Sequence, residues 1–170
     1  MPFESISSDA TQAELSSWAM RMMAAGYPDA GRLERAMRVV KDCANIKDPL
    51  KIADRFLLAY NDFVIVAANA AHHSDPVYRK ATANTRDTFA TILVERFPAC
   101  LKAFGTERRE KLAAAKGGKR QLNVATRALD GLTTFGSSPN WQNPPAECSA
   151  AFKRECQYWT DQISLLSVYA

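Results

Sequence analysis

The feature that most constrains this chain is a helix-start signal written several times over. Asp48-Pro49, Asp75-Pro76 and Asn143-Pro144 each set a capping side chain directly before a proline, and Tyr27-Pro28-Asp29 is a looser version. Proline loses nothing at the first helical position, because its missing N–H would have had no intrahelical partner there. The Asp or Asn before it accepts a bond from the exposed backbone donors of the first turn. Apolar residues at three-and-four spacing follow each signal, which is the pattern of a helix with one buried face. Seven glycines are too few for the tight turns of a sandwich or barrel. The expected fold is therefore all-α: a compact multi-helix bundle of about six to seven helices. A single helical domain is expected over residues 1–170, with an N-terminal arm at 1–10.

The elements follow from caps and stripes. A first helix is predicted over Thr11 to Ala25, where Thr11 and Glu14 form a capping box and Gly26 follows the end. A second runs from Asp29 to Ile46, with Leu33, Ala36, Met37, Val40 and Ala44 on one face. The third starts after Asp48 and reaches Ala71, its stripe running from Leu50 through Phe56, Phe63 and Ala67. The fourth runs from Pro76 to Phe97, with Val77, Ala81, Thr85, Phe89, Ile92 and Leu93 inward. Pro98 is expected to break or restart it, with a charged segment from Thr106 to Lys116 beyond. A further helix is predicted over Arg120 to Leu132, then a Pro/Ser/Asn-rich loop over residues 133–145. The last helix runs from Ala146 to the end. Its seam of Cys148, Phe152, Cys156, Trp159, Ile163 and Leu166 suits a single neighbouring helix.

Composition narrows the function classes. The first ten residues hold Glu4 and Asp9 and no apolar core of a secretory signal, and the longest apolar stretch, Phe63 to Ala71, is too short to span a bilayer. A cytoplasmic protein without membrane partners is expected. Cys43, Cys100, Cys148 and Cys156 lack metal-ligand spacing and read as reduced thiols. No metal and no cofactor is expected.

Catalytic motifs do not stand out. There is no Gly-x-Ser-x-Gly, no P-loop, no dinucleotide fingerprint and no Glu-x-x-His pair. His72 and His73 are the only histidines. They end the third helix, where an imidazolium would be favoured by the helix dipole. No catalytic residue is nominated, and the reading leans away from an enzyme.

Two basic features and one aromatic one remain. Arg32, Arg35, Arg38 and Lys41 occupy the side of the second helix opposite its apolar stripe. Arg108, Arg109, Lys111, Lys116, Lys119 and Arg120 surround Gly117-Gly118. Lys and Arg beside glycine amides suit phosphate oxygens, so these ten residues are the candidate nucleic-acid contacts. The net charge of +4 is compatible with an anionic partner. No aromatics interleave with the charges, so such binding would be backbone-directed and poor in sequence specificity. Trp141, in the proline-rich loop, and Trp159, Ile163 and Leu166 on the last helix are the candidate partner-binding residues.

Leu93-Val94-Glu95-Arg96-Phe97-Pro98-Ala99-Cys100, with Gly105 and Arg108 after it, resembles the opening segment of the ProQ/FinO family of RNA chaperones. That family continues with a Pro-Leu-Lys-Ile-Gly-Ile-like stretch and a strand-rich end. This chain has Arg109-Glu110-Lys111-Leu112 instead, and the resemblance carries over no site residues. Taken together, the sequence points to a non-enzymatic helical assembly or protein-interaction subunit, with a homo-oligomer or another protein as partner. The alternative is a nucleic-acid-binding protein, such as a nucleocapsid-like or RNA-binding subunit, with RNA or DNA as partner.

Overall fold

The computed structural model describes residues 1–169. Among them the fold is all-α, a multi-helix bundle of six α-helices without strands. The helices are α1 (Gln12–Ala24), α2 (Ala30–Asp42), α3 (Pro49–Ala70), α4 (Pro76–Ala114), α5 (Gly118–Gly136) and α6 (Ala146–Tyr169). A short 3-10 turn, Cys43–Asn45, follows α2. The chain gathers into two compact units. Unit 1 comprises Met1–Asn45 and Arg55–Leu93; unit 2 comprises Ile46–Asp54 and Val94–Ala170.

The start signals account for most boundaries. Pro49 and Pro76 are the first residues of α3 and α4. Asp48 Oδ1 accepts from Leu50 N at 3.0 Å and Asp75 Oδ1 from Val77 N at 2.9 Å. Thr11 and Glu14 close a reciprocal capping box on α1. Asn143-Pro144 is the exception: α6 begins only at Ala146. The cause is the second proline. A residue before proline is driven out of the helical region, so Pro144 cannot begin a helix while Pro145 follows it. Asn143 instead takes a left-handed turn at φ 48°.

Pro98 does not break the fourth helix, contrary to expectation: α4 is continuous for 39 residues with Pro98 inside it. The lost backbone bond is offset by burial on both sides of the proline. Phe97 is fully buried, and Leu101 and Phe104 are 2% and 3% exposed. The last loop is also shorter than predicted, because α5 extends to Gly136. Phe135 is the reason: it is buried against Phe97 and Phe152, with ring centroids 5.9 and 5.7 Å away, and holds the final turn helical.

In unit 1, α1 packs on α2. Phe3 is buried, in edge or tilted contact with Trp18, Tyr27 and Tyr78, so the predicted N-terminal arm is anchored. Phe89 on α4 meets Phe56 and Phe63 on α3 at 5.9 and 5.0 Å. In unit 2, α5 packs on α6. Gly136 is needed there, because a Cβ would fall 2.6 Å from Cζ of Phe152.

Candidate functional site

The clearest concavity is a groove of about 640 Å³ in unit 1. Its floor is made by side chains that the core holds in place: Trp18, Leu33, Phe63 and Phe89, each under a tenth exposed. Met37 and Val40 of α2 line it, with Val77, Ala81 and Ile92 of α4. Val77 and Ile92 are 57% and 39% exposed, although both are large and apolar. Thr85, Thr88 and Asn84 supply a few polar atoms. The charged residues of the lining are Lys41 and Lys80, and no acid joins them. Lys41 donates to the Ala10 carbonyl. Lys80 is exposed and has no ion pair or hydrogen bond among the described residues. The volume lies within the range of ordinary binding sites.

This groove corrects one expectation. Val77, Ala81, Thr85 and Ile92 were expected to point inward with Phe89 and Leu93. The buried face of this part of α4 is instead Tyr78, Thr82, Phe89 and Leu93, one position round the helix. On α2, Leu33, Met37 and Val40, predicted to share one face, all line the groove, and Ala36 is buried.

The basic face of α2 is largely engaged within unit 1. Arg32 Nη1 lies 3.1 Å from Oδ1 of Asp62, an α3 carboxylate that is 7% exposed, and Arg35 Nε lies 3.9 Å from its other oxygen. A carboxylate buried this far requires cations. Arg38 pairs with Glu34 at 2.7 Å and donates to Ser16 Oγ and, at 3.1 Å, to the Gln12 carbonyl. These groups bind α2 to α1 and α3, and Lys41 binds it to the segment before α1.

The second basic group divides. Arg109 pairs with Glu155 at 3.2 Å and lies over the Tyr158 ring at 4.1 Å. The Arg108 guanidinium covers Phe104 at 5.2 Å. Lys111 pairs with Glu107 at 3.0 Å, which holds the Glu107 carboxyl below the usual range. Lys116, Lys119 and Arg120 are exposed and form no ion pair among the described residues. They flank Gly117, whose φ of 92° makes the turn into α5.

The partner-binding candidates also separate. Trp141 is folded back on unit 2: its ring meets Phe97, Phe135 and Phe152 at 5.0–5.5 Å, and Nε1 donates to the Phe135 carbonyl at 3.0 Å. Trp159 is fully buried and donates to Glu155 Oε1 at 3.0 Å. Ile163 and Leu166 are half-buried. Leu165 and Val168, beside them, are 59% and 77% exposed.

The other polar cluster of unit 1 is structural in its geometry. His73 stacks on Tyr27 at 5.1 Å. Its Nδ1 accepts from Asp75 N at 3.0 Å, so Nε2 carries the proton and donates to the Gly26 carbonyl at 3.1 Å. Both ring nitrogens are thus bonded to backbone, which fixes the ring at this helix end. Tyr27 donates its hydroxyl to Asp75. That bond holds the Asp75 carboxyl below, and the Tyr27 hydroxyl above, their ordinary ranges. Asp75 also caps α4, so the cluster ties together the ends of α1, α3 and α4.

Among the described residues, no group of three or more His, Cys, Asp or Glu side chains could hold a metal ion. No helix among them is long and apolar enough to cross a membrane. Comparison with known protein families, characterised proteins and solved structures finds no match. The short resemblance around Leu93 to Cys100 thus gives no family assignment, and that stretch lies within the continuous α4.

Proposed function

We propose that this chain is a non-enzymatic protein-interaction subunit, and that the groove of unit 1 receives an apolar helical element of its partner. The observation that carries this reading is the groove itself: an aromatic and aliphatic floor, with Val77 and Ile92 left open at its edge. A helix lies in such a groove through anchors at i, i+4 and i+7. Lys41 and Lys80, without an acid in the lining, favour an occupant carrying carboxylates.

The nucleic-acid reading is the weaker one. Of its ten candidate residues, Arg32, Arg35, Arg38, Arg109 and Lys111 face carboxylates of the chain itself. Phosphate would have to displace those partners. What still favours that reading is the set Lys116, Lys119 and Arg120 beside Gly117.

Fluorescence polarisation with labelled helical peptides tests both. Peptides with leucines at i, i+4 and i+7 and acidic flanks are expected to bind, and basic-flanked ones to bind less. Val77→Glu and Ile92→Glu should abolish the binding while leaving helical circular dichroism unchanged, since both sites are exposed. Labelled single-stranded RNA and DNA serve as the contrast. Failure of every peptide, or salt-sensitive oligonucleotide binding lost on reversing Lys116, Lys119 and Arg120 to Glu, would overturn the proposal.

A further inference from the structure

The convex counterpart to the groove lies on the same chain. Asp161, Leu165 and Val168 stand at i, i+4 and i+7 on α6, and so share one face of that helix. All three are exposed, the two apolar ones by more than half. The register matches the anchor spacing of a helix seated in a groove. From residue 155 onward α6 carries the acids Glu155 and Asp161 and no Lys or Arg. Glu155 is already held by Arg109 and Trp159, which leaves Asp161 as the outward charge.

Dimensions agree. Asp161 to Val168 covers about 10 Å of helix, and Val77 to Ile92, along the groove, about 22 Å. Charge agrees as well: the stripe offers one carboxylate, and the groove offers Lys80, which has no ion pair among the described residues. We infer that the occupant of the groove is the end of α6 of a second copy, with Leu165 and Val168 as anchors and Asp161 facing Lys80. This inference rests on the groove reading above. The two surfaces differ, so the contact is head-to-tail, and copies add into closed rings, of which a reciprocal pair is the smallest, or into open chains. Two anchors cover far less than the ~800 Å² per partner of a standard stable interface, so association depends on concentration.

Sedimentation velocity on the full chain tests this with complementary variants. The wild type is expected to show a sedimentation coefficient that climbs with concentration. Leu165→Glu removes the anchor and keeps the groove; Val77→Glu blocks the groove and keeps the anchor. Each alone should remain monomeric, with circular dichroism confirming the fold. Mixed, they should form a heterodimer and nothing larger, because one usable anchor and one usable groove remain. Asp161→Lys and Lys80→Glu should each weaken association, and together restore it. A wild type that stays monomeric throughout, a mixture that fails to pair, or association untouched by Leu165→Glu would each overturn the inference. Binding of an acid-flanked leucine peptide, measured on the same samples, separates the two levels. If that peptide binds and is blocked by Val77→Glu while self-association fails, the groove reading stands and the α6 assignment falls. If neither occurs, both fall.

Discussion

Replacing Gly105 by alanine sets two terms of opposite sign against each other. Gly105 lies inside α4, buried, where alanine would ordinarily stabilise a helix by about 1 kcal/mol through lower backbone entropy and better propensity. The surroundings oppose this. An added Cβ would stand 2.2 Å from Nη1 of Arg109 and 2.4 Å from Oε1 of Glu155. Glu155 cannot simply move aside. Its carboxylate is mostly buried, receives Trp159 Nε1–H at 3.0 Å and pairs with Arg109 at 3.2 Å. Hydrogen bonds to a charged group are worth about 1.5–3 kcal/mol, and a buried donor left unpaired costs about 1–3 kcal/mol. Displacing the carboxylate weakens both contacts, so Gly105→Ala is expected to destabilise by about 1–3 kcal/mol net. A urea-unfolding cycle with Glu155→Ala isolates the cause. Once the carboxylate is gone, the Arg109 guanidinium, already one-third exposed, is free to swing outward. In that background the same Gly105→Ala change should become stabilising, by about 0.5–1 kcal/mol. A substitution equally destabilising in both backgrounds would refute the reasoning, since the clash would then not be with Glu155.

Three further outcomes follow from the packing. Pro98→Ala restores an N–H able to reach the Val94 carbonyl and removes the ring, so it should stabilise by about 1–3 kcal/mol in thermal or urea melts; a loss of stability would mean that the turn is built around the ring. Burial, then the charges of Asp29 and Tyr27, push the Tyr78 hydroxyl up to about 12. An unfolded tyrosine loses its proton near pH ~10, so stability present below that pH should fall as pH rises towards 12, and Tyr78→Phe should flatten the fall; identical alkaline profiles would exclude Tyr78 as the source. A thiol-reactive aromatic disulfide should label Cys156, half-exposed, before the buried Cys43, Cys100 and Cys148, with Cys148 slowest because burial pushes its thiol up to about 12; early labelling of Cys148 in native protein would contradict its burial.

The helices were legible because their signals are local. A cap is decided within four residues, so Thr11 with Glu14, Asp48 with Pro49 and Asp75 with Pro76 could be placed without knowing what each helix packs against. The failures involve a competing effect at the same spot. Pro145 cancels the signal of Pro144, and the burial of Phe97, Leu101 and Phe104 outweighs the breaking tendency of Pro98. The first was readable from the adjacent prolines. The second was not, because it depends on what surrounds three aromatic and aliphatic side chains.

The groove was hidden for a related reason. Along α4, the stripe through Tyr78, Thr82, Phe89 and Leu93 and the stripe through Val77, Ala81, Thr85 and Ile92 sit one residue apart, about 100° round the helix. Both are apolar, and periodicity reports that a face avoids water, not whether a neighbour covers it. The α2 arginines pose the converse problem: a row of cations implies an outward face only if nothing acidic lies opposite. Periodicity alone does not show that acid: Asp62 falls nearly opposite the α3 stripe through Tyr60 and Phe63, yet it is buried beside Ala59 and Val66, where an unpaired carboxylate would be costly. That position calls for cations, and Arg32 and Arg35, a turn apart on α2, supply them. With that pairing understood, the arginines become part of what builds the wall of the groove, and the exposed apolar residues of α4 become the feature of unit 1 that a partner would explain.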